Sequence, residues 1–136
     1  MSNYIIEKDF KVDDYRCLIL GLNLGHRCGY IGLPVGHKYY GKGYEDVEVD
    51  IHGGWTYASD SDHFMVESDL WWIGFDCAHY GDGKDLELIK SFGKNESLKH
   101  LLYMEEMFPS GDDFKSLEFV ESELRHAVKD LQNLRI

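Results

Sequence analysis

The spacing of apolar residues changes period once along this chain, and that change restricts the fold more than any other feature. Upstream of Asp82–Lys84 the apolar positions alternate, or form short runs broken by glycine. Downstream they recur every three or four residues. From about Asp113 to Leu134, a stripe of Leu117, Val120, Leu124, Ala127, Val128 and Leu131 lies opposite Glu118, Glu121, Arg125 and Lys129. A helix patterned in this way covers a sheet face with its stripe and shows its charges to water. Strands followed by helices predict an α+β fold: an antiparallel sheet from the N-terminal ~80 residues, covered on one face by two or three C-terminal helices. A length of 136 residues suits a single domain, 1–136.

Within the sheet half, Tyr15–Leu24 (YRCLILGLNL) reads as a central strand buried on both faces. It turns at Gly25-His26 into a second strand, Arg27–Leu33, which Pro34 ends. Met1–Asp14 reads as an edge strand or arm. Glu45–Ile51 is expected to be a strand that continues past a Gly53-Gly54 kink through Trp55–Ala58 and pairs with Leu70–Cys77 across the polar loop Ser59–Asp69. In the helical half, Asp85–Phe92 is a short helix with Asp85 as its cap and Gly93 as its stop, and Asn95–Phe108 is a second helix.

The net charge of −11, from 25 acidic and 14 basic residues, argues against duplex nucleic acid, because neutralising phosphates takes a basic face. The cations are unevenly placed. Tyr15–Tyr44 holds no Asp or Glu but carries Arg16, Arg27, Lys38 and Lys42 beside His26 and His37. Such an island suits a small anion better than a long phosphate chain, although a strand pair with few charges accounts for it equally well. Cys17, Cys28 and Cys77 form no CxxC pair and read as buried reduced thiols. No run approaches the ~20 apolar residues of a membrane span, and the N-terminus is polar and acidic, so a cytoplasmic protein away from membranes is expected.

Chemistry concentrates in Val49–Asp82, where His, Asp and Trp alternate with glycines. If DIHGGWTY and WWIGFDCAHYGD pair, His52 and the Asp76–His79–Asp82 group come to one end of the sheet. Metal-free phosphodiester hydrolysis would then use His52 and His79 as base and acid, with Asp76 holding the imidazole of His79. Arg27 or Lys42 would hold phosphate, Trp55 or Trp72 would stack a base, and His26 and His37, each beside a glycine, would complete the substrate site. A metal site of His52, Asp76, His79 and Asp82 ranks lower, since the spacing matches no established signature. The same groups could also hold a nucleotide without reacting. For any single histidine, a satisfied core position is the better reading.

The motifs GHRCGYIGLPVGHKYYGK, DIHGGWTY and WWIGFDCAHYGD resemble a family of small, largely uncharacterised phage and prophage proteins, over approximately Gly25–Asp82 and more weakly at LEFVESEL. The resemblance implies a phage-borne protein in the host cytoplasm that acts against host defence. In that setting the expected ligand is a small phosphate-bearing, cyclic nucleotide signal, and hydrolysis ranks just ahead of sequestration, with no cofactor. An acidic protein that blocks a host protein by direct contact is the alternative, and a homo-oligomer is compatible with either.

Overall fold

The computed structural model of the chain describes residues 4–60, 64, 66, 68–78, 81–93, 96–108 and 111–133. Strands β1 (Tyr4–Val12), β2 (Tyr15–Leu22), β3 (Arg27–Leu33), β4 (Tyr57–Ser59) and β5 (Trp71–Asp76) form one antiparallel sheet in the order β1-β2-β3-β5-β4. Helix α1 (Leu86–Lys90), helix α2 (Glu96–Met107) and helix α3 (Leu117–Asn133) follow, so the fold is α+β. Two short strands, β6 (Gly81–Gly83) and β7 (Gly111–Phe114), pair in parallel as a separate ribbon that the sequence pattern did not announce.

The central position of β2 explains its unbroken apolar run. Tyr15, Cys17 and Ile19 point into the core beneath α3, whereas Leu18 and Leu20 are buried on the opposite face. Along α3 the stripe Val120, Leu124, Ala127, Val128 and Leu131 is fully buried. Each large aliphatic side chain there contributes about 1.5–3 kcal/mol before ordering costs. Ser116 starts this helix, its hydroxyl accepting from the Phe119 N–H at 3.1 Å. Asp85 caps α1 as expected, accepting from the N–H groups of Glu87 and Leu88.

The strand expected at Glu45–Ile51 is absent. A 3₁₀ turn occupies Tyr44–Asp46, and the chain then passes extended through Val47 and bends at Val49 without a ladder partner. Val47 and Val49 are nevertheless buried on the core, because period-two burial needs only a flat apolar surface beneath, not a neighbouring strand. The pairing with β5 begins later, at Tyr57↔Gly74.

Two of the strand glycines make room for rings. An added Cβ at Gly74 would overlap the Tyr30 ring on β3, and one at Gly29 would lie 2.6 Å from Phe75 and 2.9 Å from Val120. Glycine is used here because a neighbouring aromatic fills the space above it.

Candidate functional site

Asp76 ends β5, whereas His52 lies outside the sheet, in a turn before β4, and the two side chains face opposite sides of it. On the helix side, the His52 ring meets the Phe119 ring of α3 edge-on at 5.2 Å, and its backbone N–H donates to Glu123 Oε1 at 2.8 Å. Gly53 and Gly54, both at positive φ (71° and 85°), make the turn that aims the histidine at the helix. Asp76, by strand alternation with Phe75, lies on the other face, level with Cys28. Its carboxylate accepts from Thr56 Oγ1 at 3.3 Å and from the Ala78 N–H at 3.0 Å. The carboxylate beside His52 is therefore Glu123, visible in sequence only as one of several acids on α3. His79, the expected partner of both, lies outside the described residues, as does the metal reading that needs it.

Most of the expected binding groups are internal. Arg27 is 6% exposed. Its Nε and one terminal nitrogen bind Glu7 at 2.7 and 3.2 Å, that terminal nitrogen also reaches Asp85 at 2.9 Å, and the other donates to the Lys115 carbonyl at 3.0 Å. Burial alone would lower the Arg27 pKa, yet the two carboxylates more than reverse this and raise it. The guanidinium thus joins β1, β3, the start of α1 and the segment before α3, and its donors face the chain itself. The cation expected to hold a phosphate is instead the bolt of the fold. His37 is also buried, accepting from the Tyr39 N–H at 3.1 Å and meeting the Tyr15 ring edge-on. His26 lies in the β2–β3 turn, its carbonyl accepting from the Leu22 N–H, while the preceding Gly25 carbonyl accepts from Asp85.

The two tryptophans assigned to base stacking fill the core. Trp55 donates its indole N–H to the Val49 carbonyl at 2.7 Å and packs edge-on against Phe75. Trp72 is fully buried, stacked on Phe64 at 4.6 Å and bonded to Ser68 Oγ. Neither presents a ring face to solvent that a nucleobase could cover.

Around Trp72, on the face away from α3, Tyr30, Tyr57 and Phe64 form a mutual cluster with centroids 5.1–5.9 Å apart. Cys28 and Asp76 stand beside it. Burial, and then the negative charge of Asp76, push the Cys28 thiol up to about 11; burial likewise drives the Tyr30 phenol well above its ordinary value. A thiol held so far above neutral pH is protonated and a poor nucleophile. Cys17, pushed to about 12 by burial, is more inert still.

The exposed chemistry gathers at the loop after β3. Lys42 is exposed, and its backbone carbonyl accepts from Trp71 Nε1 at 3.0 Å, which sets the Trp71 ring beside the lysine. Tyr40 lies 6.1 Å from that ring and anchors through its hydroxyl to the Asp69 carbonyl, while Tyr44 stands exposed two residues beyond Lys42. Neither Lys38 nor Lys42 makes an ion pair among the described residues. Trp71 escaped the sequence reading because strand parity, which decides whether Trp71 or Trp72 faces inward, was unknown until the register was fixed.

No family model, curated protein or solved structure matches this chain.

Proposed function

We propose that this protein binds a small phosphate-bearing nucleotide and holds it without cleaving it. The setting is the one implied by the motif resemblance, a phage protein that withdraws a defence signal from its host. The observation that carries the reading is the Tyr40–Lys42–Tyr44–Trp71 corner, where the exposed Lys42, its backbone bonded to the Trp71 indole, stands among partly exposed aromatic rings. Aromatic stacking on a base is worth about 1–3 kcal/mol, and a lysine with no ion pair among the described residues supplies charge for a phosphate. Holding is favoured over hydrolysis because His52 and Asp76 stand on opposite sides of the sheet and the Cys28 thiol stays protonated.

The test is to incubate the protein with a panel of cyclic mono- and dinucleotides and ADP-ribose derivatives, isolate it, denature it by heat, and analyse what is released. Intact nucleotide from the wild type, lost in Lys42→Ala/Trp71→Ala but retained in His52→Ala, is the expected outcome. Linear products, or retention unchanged in the double variant, would overturn the reading.

A further inference from the structure

Helix α2 packs within the chain chiefly against α1, and Lys84 ties it further by an ion pair to Glu105 at 2.8 Å. Beside exposed polar residues such as Lys99 and Glu106, one strip of its outer surface is apolar. Met104, Met107 and Phe108 recur at three- and four-residue steps and are all exposed, Phe108 at 67%. The stripe opens into a surface groove of about 480 Å³ between α2 and the β2–β3 turn, floored by Leu98 and walled by Leu24, Leu101 and Met104, with Glu96 and His100 at its rim. Leu24, at the tip of the turn, is 54% exposed. Contiguous exposed apolar surface of this kind marks an interaction site, and methionine-lined grooves adapt to helices laid into them.

From this we infer that the α2 groove docks a basic amphipathic helix of a partner protein. Charge selects the occupant. A second copy of the chain would bring together two bodies each carrying −11, which repel, whereas a helix with Lys or Arg flanking its apolar stripe is drawn in. The exposed acid Glu96, at the rim of the groove, lies where such a flanking cation would fall. The apolar stripe then supplies the contact and the acidic rim supplies orientation.

The test uses two labelled peptides with leucines at helical spacing, one filled with lysine and the other with glutamate, titrated by fluorescence anisotropy at physiological ionic strength. The lysine peptide is expected to bind and the glutamate peptide not. Met104→Asp/Phe108→Asp should weaken the lysine peptide about tenfold or more. Both side chains are exposed, so the variant keeps the wild-type circular dichroism and melting temperature. These substitutions add negative charge, so merely electrostatic attraction would be strengthened by them. Binding that is unchanged or tighter in the variant therefore overturns the proposal. A wild-type dimer in sedimentation that the same variant dissociates also overturns it, by making a second copy the occupant.

Discussion

Replacing Arg27 with methionine separates a structural cation from a ligand-binding one. Methionine keeps much of the aliphatic stem but removes the charge, leaving Glu7 and Asp85 buried side by side with side-chain exposures of only 16% and 12%. The Lys115 carbonyl loses its donor as well. Deleting one partner of a buried ion pair costs about 3–5 kcal/mol, most of it from the charges left behind. With an m-value of about 2 kcal/mol/M for a domain of this size, the urea midpoint should fall by about 1.5–2.5 M with the slope unchanged. Adding Glu7→Gln and Asp85→Asn should recover part of that loss, because asparagine still caps α1 and neither amide carries a stranded charge. If Arg27→Met instead moves the midpoint by less than about 0.5 M while nucleotide retention disappears, the guanidinium belongs to a binding site and the structural account of it is wrong.

Other substitutions probe the interlocked rings and the thiols. Gly74→Ala should cost about 1–3 kcal/mol through overlap with the Tyr30 ring, and the penalty should shrink in a Tyr30→Ala background; equal penalties in both would show that the ring is not what the glycine accommodates. Cys17, Cys28 and Cys77, all buried, should react with a thiol reagent at pH 8 only after urea unfolds the protein, and rapid labelling of any of them when folded would contradict their burial. Because the folded Cys28 and Cys17 pKa values are raised, their contribution to stability is complete below the ordinary thiol value of 9.0. It is lost as pH climbs toward about 11 and 12, since the unfolded chain releases its protons first. Melting temperature should therefore decline above pH 9, less steeply in Cys28→Ala. On the acid side, Asp9 is held below its usual pKa by its bond to Arg16, so the stability it gives is present above that usual value and lost as pH falls beneath it. Arg16→Gln should flatten only that limb, and slightly, since the pair is largely exposed.

The layers of the fold were legible because they follow from period alone. The α3 stripe, the doubly buried β2 and the Asp85 cap each express a local rule that the rest of the chain reinforces. The strand expected at Glu45–Ile51 failed because alternation reports which side chains are buried, and an irregular segment lying on the core meets that demand without a ladder. The β6–β7 ribbon left no signal, since Gly81–Gly83 reads as a turn and the helix expected from about Asp113 runs into β7, whereas α3 begins only at Leu117.

The site was harder to read for a physical reason that the motif itself illustrates. A loop built to bring its backbone close to a ligand and a sheet built to interlock aromatic rings call for the same residues: glycine where space is needed, Trp and Tyr where it is filled, His and Arg where carbonyls or carboxylates must be met. Gly74 under Tyr30, Gly29 under Phe75, Trp72 on Phe64 and Arg27 between Glu7 and Asp85 are all of the second kind. What separates the two uses is which way each side chain points, and in a strand that alternates with every residue. A shift of one position exchanges Trp72 for Trp71, turning a core ring into one beside an exposed lysine. Register, set by pairings such as Tyr57↔Gly74 and Ile31↔Ile73, is therefore the quantity on which any reading of this motif as a binding surface depends. A substitution at Trp71 should accordingly affect ligand retention more than stability, and one at Trp72 stability first, by about 3–5 kcal/mol on truncation to alanine. Comparing urea midpoints and nucleotide retention for the two single variants tests that assignment directly, and a larger stability loss at Trp71 than at Trp72 would reverse it.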